Sequence, residues 1–147
     1  MKQFDNIDIY VDGACSNNGK VNAKGGYGIY FPNGELINKS EKFTLSPITN
    51  NRAELYAIYD TLVMLKMVKY NTVTIHSDSK YSINCVTVWY NKWSKNNFIG
   101  ANKKPIDNLD IIDKIIDILN INKNITFKYV PRENNKDADK LAKDGCK

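Results

Sequence analysis

Cysteine is scarce: Cys15, Cys85 and Cys146 are the only three, and they lie far apart. That excludes a disulfide framework and shows no metal-binding spacing. A reducing compartment suits such thiols, and a cytoplasmic location is expected. No apolar run approaches the ~20 residues that a membrane-spanning helix needs, so no membrane partner is expected. The opening residues Met1-Lys2-Gln3-Phe4-Asp5 pass at once into a strand-like pattern, which leaves no room for a secretory leader among them. Repeats and long linkers are missing as well. Acid is missing from one stretch: between Asp78 and Asp107 there is none, yet Lys80, Lys92, Lys95, Lys103 and Lys104 fall there, interleaved with Trp89, Trp93 and Phe98. A basic, aromatic-rich segment suits a polyanion with sugar and base faces to pack against. The alternative is a solvated helix face whose aromatics turn inward.

What is present fits one domain spanning residues 1–147, with 42% apolar and 25% charged residues, near globular averages. A monomer is expected. Ile7, Ile9 and Val11 alternate with Asp8, Tyr10 and Asp12, predicting a strand that ends at Gly13 and puts Asp12 at its end. A polar loop, Ser16 to Gly26, leads to strands around Tyr27 to Phe31 and Glu35 to Leu45, joined at the turn signal Pro32-Asn33-Gly34. From Thr49 the period becomes helical: Leu55, Ile58, Leu62 and Leu65 form a stripe, with Thr49 or Asn50 as cap. Val73 and Ile75 begin a strand with Asp78 near its end, and a helix follows from about Ser79. Asp107 is expected to cap a helix carrying Ile112, Ile115, Ile116 and Leu119; Ile125, Phe127 and Tyr129 form a fifth strand; Asn134 or Asn135 opens a last helix. The order β-β-β-α-β-α-α-β-α implies an α/β fold, a mixed five-stranded sheet flanked by helices.

Most acidic side chains have a plain explanation as helix-terminal or solvated groups. Asp12, Glu54, Asp78 and Asp139 do not. Two end predicted strands, one lies in the early turns of a helix and one in the last helix. Side chains so placed can converge on one edge of an α/β sheet. Converging carboxylates repel unless a cation lies between them, and Mg²⁺ is the natural ion for carboxylate, water and phosphate oxygens.

The words around these acids are more specific than their spacing. Tyr10-Val11-Asp12-Gly13-Ala14-Cys15, Thr49-Asn50-Asn51-Arg52-Ala53-Glu54-Leu55, Ser77-Asp78-Ser79 and Asp137-Ala138-Asp139-Lys140-Leu141-Ala142 occur in order and together resemble the motif set of the ribonuclease HI family. Trp89, Trp93 and Lys103-Lys104-Pro105 resemble that family's basic protrusion. The resemblance runs from about Asp8 to about Ala142. It implies a ribonuclease H-like fold with Asp12, Glu54, Asp78 and Asp139 as catalytic, metal-binding carboxylates, Mg²⁺ or Mn²⁺ as cofactor, and an RNA–DNA hybrid duplex as partner. The implied reaction is endonucleolytic hydrolysis of the RNA strand, one ion activating water and a second stabilising the leaving 3′-oxygen, to give 5′-phosphate and 3′-hydroxyl ends. A sequence-blind enzyme of this kind must read 2′-hydroxyls in the wide minor groove. By resemblance Cys15, Asn18, Asn50 and Asn51 line that groove, Tyr81 and Trp89 pack on sugars of the DNA strand, and Thr49 with Asn108 hold a DNA phosphate. Lys92, Lys95, Lys103 and Lys104 are the expected phosphate-neutralising set.

Two departures stand out. Pro47 occupies a place where some family members carry an arginine of the phosphate pocket. Many relatives carry a histidine in the loop before the last aspartate, whereas Val130-Pro131-Arg132-Glu133-Asn134-Asn135-Lys136 is compact and has none, leaving Arg132 as the candidate for assisting product release. The only histidine, His76, lies two residues before Asp78, either near the metal site or in an ordinary hydrogen-bonded role. The alternative to an enzyme is a non-cleaving module that binds nucleic acid or protein on the same fold, which would have no need of all four acids.

Overall fold

Alternation of Ile7, Ile9 and Val11 with polar residues builds the strand at the centre of the molecule. In the computed structural model, which describes residues 2–100 and 103–147, β1 (Gln3–Ser16) lies between β2 (Lys24–Tyr30) and β4 (Lys69–Ser77). The edges are β3 (Lys39–Phe43) and β5 (Ile125–Tyr129), giving the order β3-β2-β1-β4-β5. The first three strands form the expected antiparallel meander, while β4 and β5 join in parallel. Gly34 takes φ 72° at the turn between β2 and β3, and its N–H donates to Phe31 O. The third strand is shorter than its apolar pattern suggests, because the Asn38 side chain accepts a hydrogen bond from Phe31 N and holds the preceding residues out of the ladder.

Asp12 is not at the end of its strand. The parallel ladder with β4 stops at Val11–Ser77, but β1 continues to Ser16 because Gly13 to Ser16 stay paired with β2. Asp12 therefore lies inside a strand, at the point where its parallel neighbour has just ended.

Helix α1 (Asn50–Met64) begins at Thr49, whose hydroxyl accepts from Arg52 N at 3.2 Å. After β4 the chain enters α2 (Lys80–Asn84), continues through five π-helical residues (Cys85–Trp89) and ends in α3 (Tyr90–Ser94), so the single helix expected there contains a wider central turn. Helix α4 (Leu109–Ile121) starts later than the sequence suggests. Its cap is Asn108 at φ 65°, not Asp107, and the Asn108 amide is engaged elsewhere. The last helix is α5 (Lys136–Gly145). None of the described helices is long and apolar enough to cross a membrane.

The core lies on one face of the sheet, where Ile7, Ile9 and Val11 meet Leu55, Ile58 and Leu62 of α1 and Ile111, Ile112 and Ile115 of α4. On the other face α5 approaches until backbone meets backbone. A Cβ at Gly28 would lie 2.7 Å from Ala142 N and 2.6 Å from the Leu141 side chain. Glycine there, opposite Ala138 and Ala142, is what lets α5 carry Asp139 down to the sheet. Gly13 does the same on the core face: any Cβ would collide with the Ala53 and Glu54 backbone, so its absence lets the first turn of α1 abut β1.

Candidate active site

Those two close approaches, together with the end of β4, bring three acids to one point. One carboxylate oxygen from each of Asp12, Glu54 and Asp78 lies within 4.8 Å of the others. Asp139 lines the same cleft of about 370 Å³, with Cys15, Asn50, Asn51, Ser79, Arg132 and Lys143. Asp12 and Glu54 are buried, Asp78 and Asp139 partly so.

The electrostatics are those of a site built for a cation. Burial pushes the Asp12 carboxyl up to about 7, with the charges of Asp78 and Asp139 adding to it and a hydrogen bond shared with Glu54 opposing it. Burial, then the hydrogen bond and charge of Asp12, raise Glu54 well above the ordinary range. Glu54 Oε2 is buried with no hydrogen-bond partner among the described residues. Native proteins seldom leave such an atom unsatisfied. A hard divalent ion among these oxygens would satisfy it and remove the repulsion. The donor set therefore fits Mg²⁺ or Mn²⁺.

Asp139 is set differently. Burial alone would raise its carboxyl, but a 2.9 Å hydrogen bond from Lys143 Nζ, contact with Asp12 and the charge of Arg132 outweigh it and hold the group below its ordinary range.

Positioning comes from residues with no chemistry of their own. Asn135, buried at 1% exposure, donates from Nδ2 to Val11 O at 2.9 Å and to Asp78 Oδ2 at 3.2 Å. One amide thus ties the start of α5, β1 and the end of β4 together. The sequence marked this asparagine only as a possible helix start, and an Asn at a cap gives no sign of being buried. Lys143 was equally silent, although its position four residues after Asp139 on a helix was a usable signal.

Next to the acids, Asn18 Oδ1 accepts from Asn50 N at 2.7 Å, and Cys15 Sγ donates to Ile48 O at 3.5 Å. Cys15, Asn50 and Asn51 line the carboxylate cleft, while Asn18 lines an adjoining hollow with Pro47, Thr49, Asn50, Asn51, Arg52, Asp107 and Asn108. Arg52 forms its wall: the guanidinium is buried, bonds Asp110 through both terminal nitrogens at 2.9 and 2.8 Å, and reaches Asn108 Oδ1 at 3.4 Å. Asn108 in turn donates to Tyr81 Oη at 2.8 Å. Thr49, Asn108 and Tyr81 are thereby joined through one buried arginine that sequence reading passed over as part of a motif. Its charge is neutralised by Asp110, so it shapes the hollow without supplying a free cation.

Trp89 meets Tyr81 edge-on and Trp93 at a tilt, with ring centroids 5.9 and 6.0 Å apart. All three pack partly against the core. Lys92 and Lys95 are exposed on and just beyond α3, and Lys103 and Lys104 are exposed in the following loop, which is closed by a bridge between Ile99 and Pro105. His76 is not in the carboxylate cleft. It stacks on Tyr10 with centroids 4.3 Å apart and bonds Asp8 Oδ1 at 2.9 Å, the ordinary role.

The RNase H family model matches residues 5–147. The ribonuclease H of Schizosaccharomyces pombe is 38% identical over 94% of this chain, which spans 52% of that protein. The ribonuclease H of Clostridium botulinum is 36% identical, with 92% of each chain covered. Among solved structures, LC11 ribonuclease H1 bound to an RNA/DNA hybrid superimposes with a TM-score of 0.69 at 25% identity, over 95% of this chain and 96% of that one. A foamy viral protease-reverse transcriptase structure with double-stranded DNA reaches 0.78 at 24% identity, over 95% and 93%.

Proposed function

The chain belongs to the RNase H family, and from that premise we propose that it is an endoribonuclease hydrolysing the RNA strand of RNA–DNA hybrids to 5′-phosphate and 3′-hydroxyl ends. The observation that carries this reading is the convergence of Asp12, Glu54 and Asp78 around a buried, unpartnered carboxylate oxygen. A binding module gains nothing from such repulsion. Both the hybrid substrate and the 5′-phosphate product are polyanions, so acids at the centre of the cleft make sense only with cations among them.

Asp12, Glu54, Asp78 and Asp139 are the groups to hold Mg²⁺, with Mn²⁺ as an alternative. Bound there, a divalent ion supplies positive charge to the attacked phosphate and the departing oxygen. The protein's own part is placement. Asn135 keeps Asp78 turned towards Asp12, and Gly13 keeps Glu54 against it. Cys15, Asn18, Asn50 and Asn51 are the short groups on which the 2′-hydroxyls of the RNA strand rest. Tyr81 and Trp89 receive sugars of the DNA strand, Thr49 and Asn108 a DNA phosphate, and Lys92, Lys95, Lys103 and Lys104 neutralise further phosphates. Arg132, exposed at the rim of the cleft, attracts the cleaved phosphate and assists its release. We further propose that this domain acts as a monomer in the cytoplasm, away from membranes.

Labelled RNA–DNA, RNA–RNA and DNA–DNA duplexes, each with Mg²⁺, Mn²⁺ or EDTA, test the reading. Cleavage confined to the RNA of the hybrid and abolished by EDTA is expected; metal-independent cleavage, or binding without cleavage, overturns it.

A further inference from the structure

Lys143 lies in the carboxylate cleft, yet belongs to none of the motifs that mark it. Its side chain is 68% exposed, on the fourth residue after Asp139 in α5, and its Nζ reaches Asp139 Oδ2 at 2.9 Å. As an ordinary surface pair on a helix it would add little to stability. Its surroundings make it more than that. Asp139 also contacts Asp12, and the positive charge of Lys143 is felt by Asp12 as well as Asp139. Asp139, unlike Asp12 and Glu54, is drawn below its ordinary range. The 2.9 Å pair puts an ammonium on a carboxylate that is 30% exposed, in a cleft that Arg132 also lines. That cation is weakly held and mounted on a flexible stem of four carbons.

We propose that Lys143 is a displaceable counter-ion of the cleft: it neutralises Asp139 until a divalent ion takes that carboxylate, and then turns to a phosphate of the bound strand. The two states compete for the same oxygen. Removing the ammonium therefore strengthens metal binding, because Asp139 is left unpaired and a nearby positive charge is gone. Removing it also weakens substrate binding, because a phosphate loses a partner. A residue that merely braced α5 would weaken both or neither. The metal half of this role needs only the carboxylate cluster; the phosphate half rests on the hybrid-cleaving function proposed above.

The test compares wild type with Lys143→Gln and Lys143→Arg, using Lys147→Gln as a control for loss of one exposed charge on the same terminal segment. Mn²⁺ binding is measured by titration calorimetry without nucleic acid, and KM for a labelled hybrid at saturating Mg²⁺. For Lys143→Gln, Mn²⁺ binding about threefold to tenfold tighter is expected, from loss of one charge within a few ångströms of the site, with KM raised about threefold. Lys143→Arg should keep a near-wild-type KM, and Lys147→Gln should change neither quantity. Unchanged or weaker Mn²⁺ binding in Lys143→Gln, with its circular dichroism and melting temperature intact, overturns the counter-ion role. Tighter Mn²⁺ with an unchanged KM overturns the phosphate role alone. A wild type that binds Mn²⁺ but does not cleave hybrids removes the proposed function and the phosphate half, while the metal comparison still decides the counter-ion.

Discussion

Asp12 and Asp78 differ in burial but share one consequence: each contributes a carboxyl oxygen to a point where three such oxygens gather. Asp12→Asn or Asp78→Asn keeps the shape and deletes the charge. Either change should reduce hybrid cleavage far more than tenfold and weaken Mn²⁺ binding, while leaving hybrid binding within a few-fold of wild type; activity within tenfold of wild type would refute the metal-binding role. Arg132 makes a smaller claim. A guanidinium is no substitute for the leaving-group acid that a loop histidine could provide. If its role is to draw off the product phosphate, Arg132→Ala should slow multiple-turnover cleavage about tenfold, roughly 1.4 kcal/mol, with single-turnover rates changing less. Equal rates in both regimes would reduce it to a surface arginine.

At the scale of elements, α2, the π-helical turn, α3 and the loop closed by Ile99 and Pro105 form one projection. It carries aromatics on its inner side and lysines outside. A π-turn widens the helix and often marks a functional stretch. Here it lies between Tyr81 and Trp93 and includes Trp89 at its end. If the exposed lysines contact phosphates, replacing Lys92, Lys95, Lys103 and Lys104 with Ala should raise KM and flatten the dependence of hybrid affinity on salt, since each contact adds to that slope. An unchanged slope would show the projection to be only a solvated face. The sequence located this projection by its missing acids and its lysines. It did not show that Arg52, 56 residues before Asn108, anchors that asparagine and through it Tyr81, because a buried arginine in a helix reads like any exposed one until its partner on α4 is known.

For the whole molecule, the cleft stores repulsion that should appear in its stability. Asp12 titrates near 3.8 in an unfolded chain and near 7 when folded, and Glu54 is raised in the same direction. A carboxyl with a raised folded pKa binds its proton more tightly in the native state. Its contribution to stability is therefore complete below the unfolded value and is lost as pH rises through the folded one. In EDTA, the melting temperature should fall as pH rises from about 4 through about 7, and Asp12→Asn should flatten that fall. Asp110 and Asp139 are lowered, so they act in the opposite sense and only as pH drops below their unfolded value of 3.8. At pH 8, Mg²⁺ or Mn²⁺ should restore the melting temperature of the wild type. A melting temperature that does not vary with pH and does not respond to either ion would mean that the acids do not repel.

The sequence by itself determined the element order, the apolar stripes of α1 and α4, the meander and the four candidate acids, because period, turn chemistry and motif are local properties of the chain. Where a strand stops depends on what it pairs with. That is why Asp12 was expected at a strand end and instead lies within β1, carried on by β2 after β4 has ended. Only the tertiary structure decided which acids converge on one point, which one is paired with Lys143, and that Asn135 holds Asp78. Burial and partner distance are properties of packing: α5 reaches Asp12 because glycines in β2 let it, and α1 reaches Asp12 because Gly13 does.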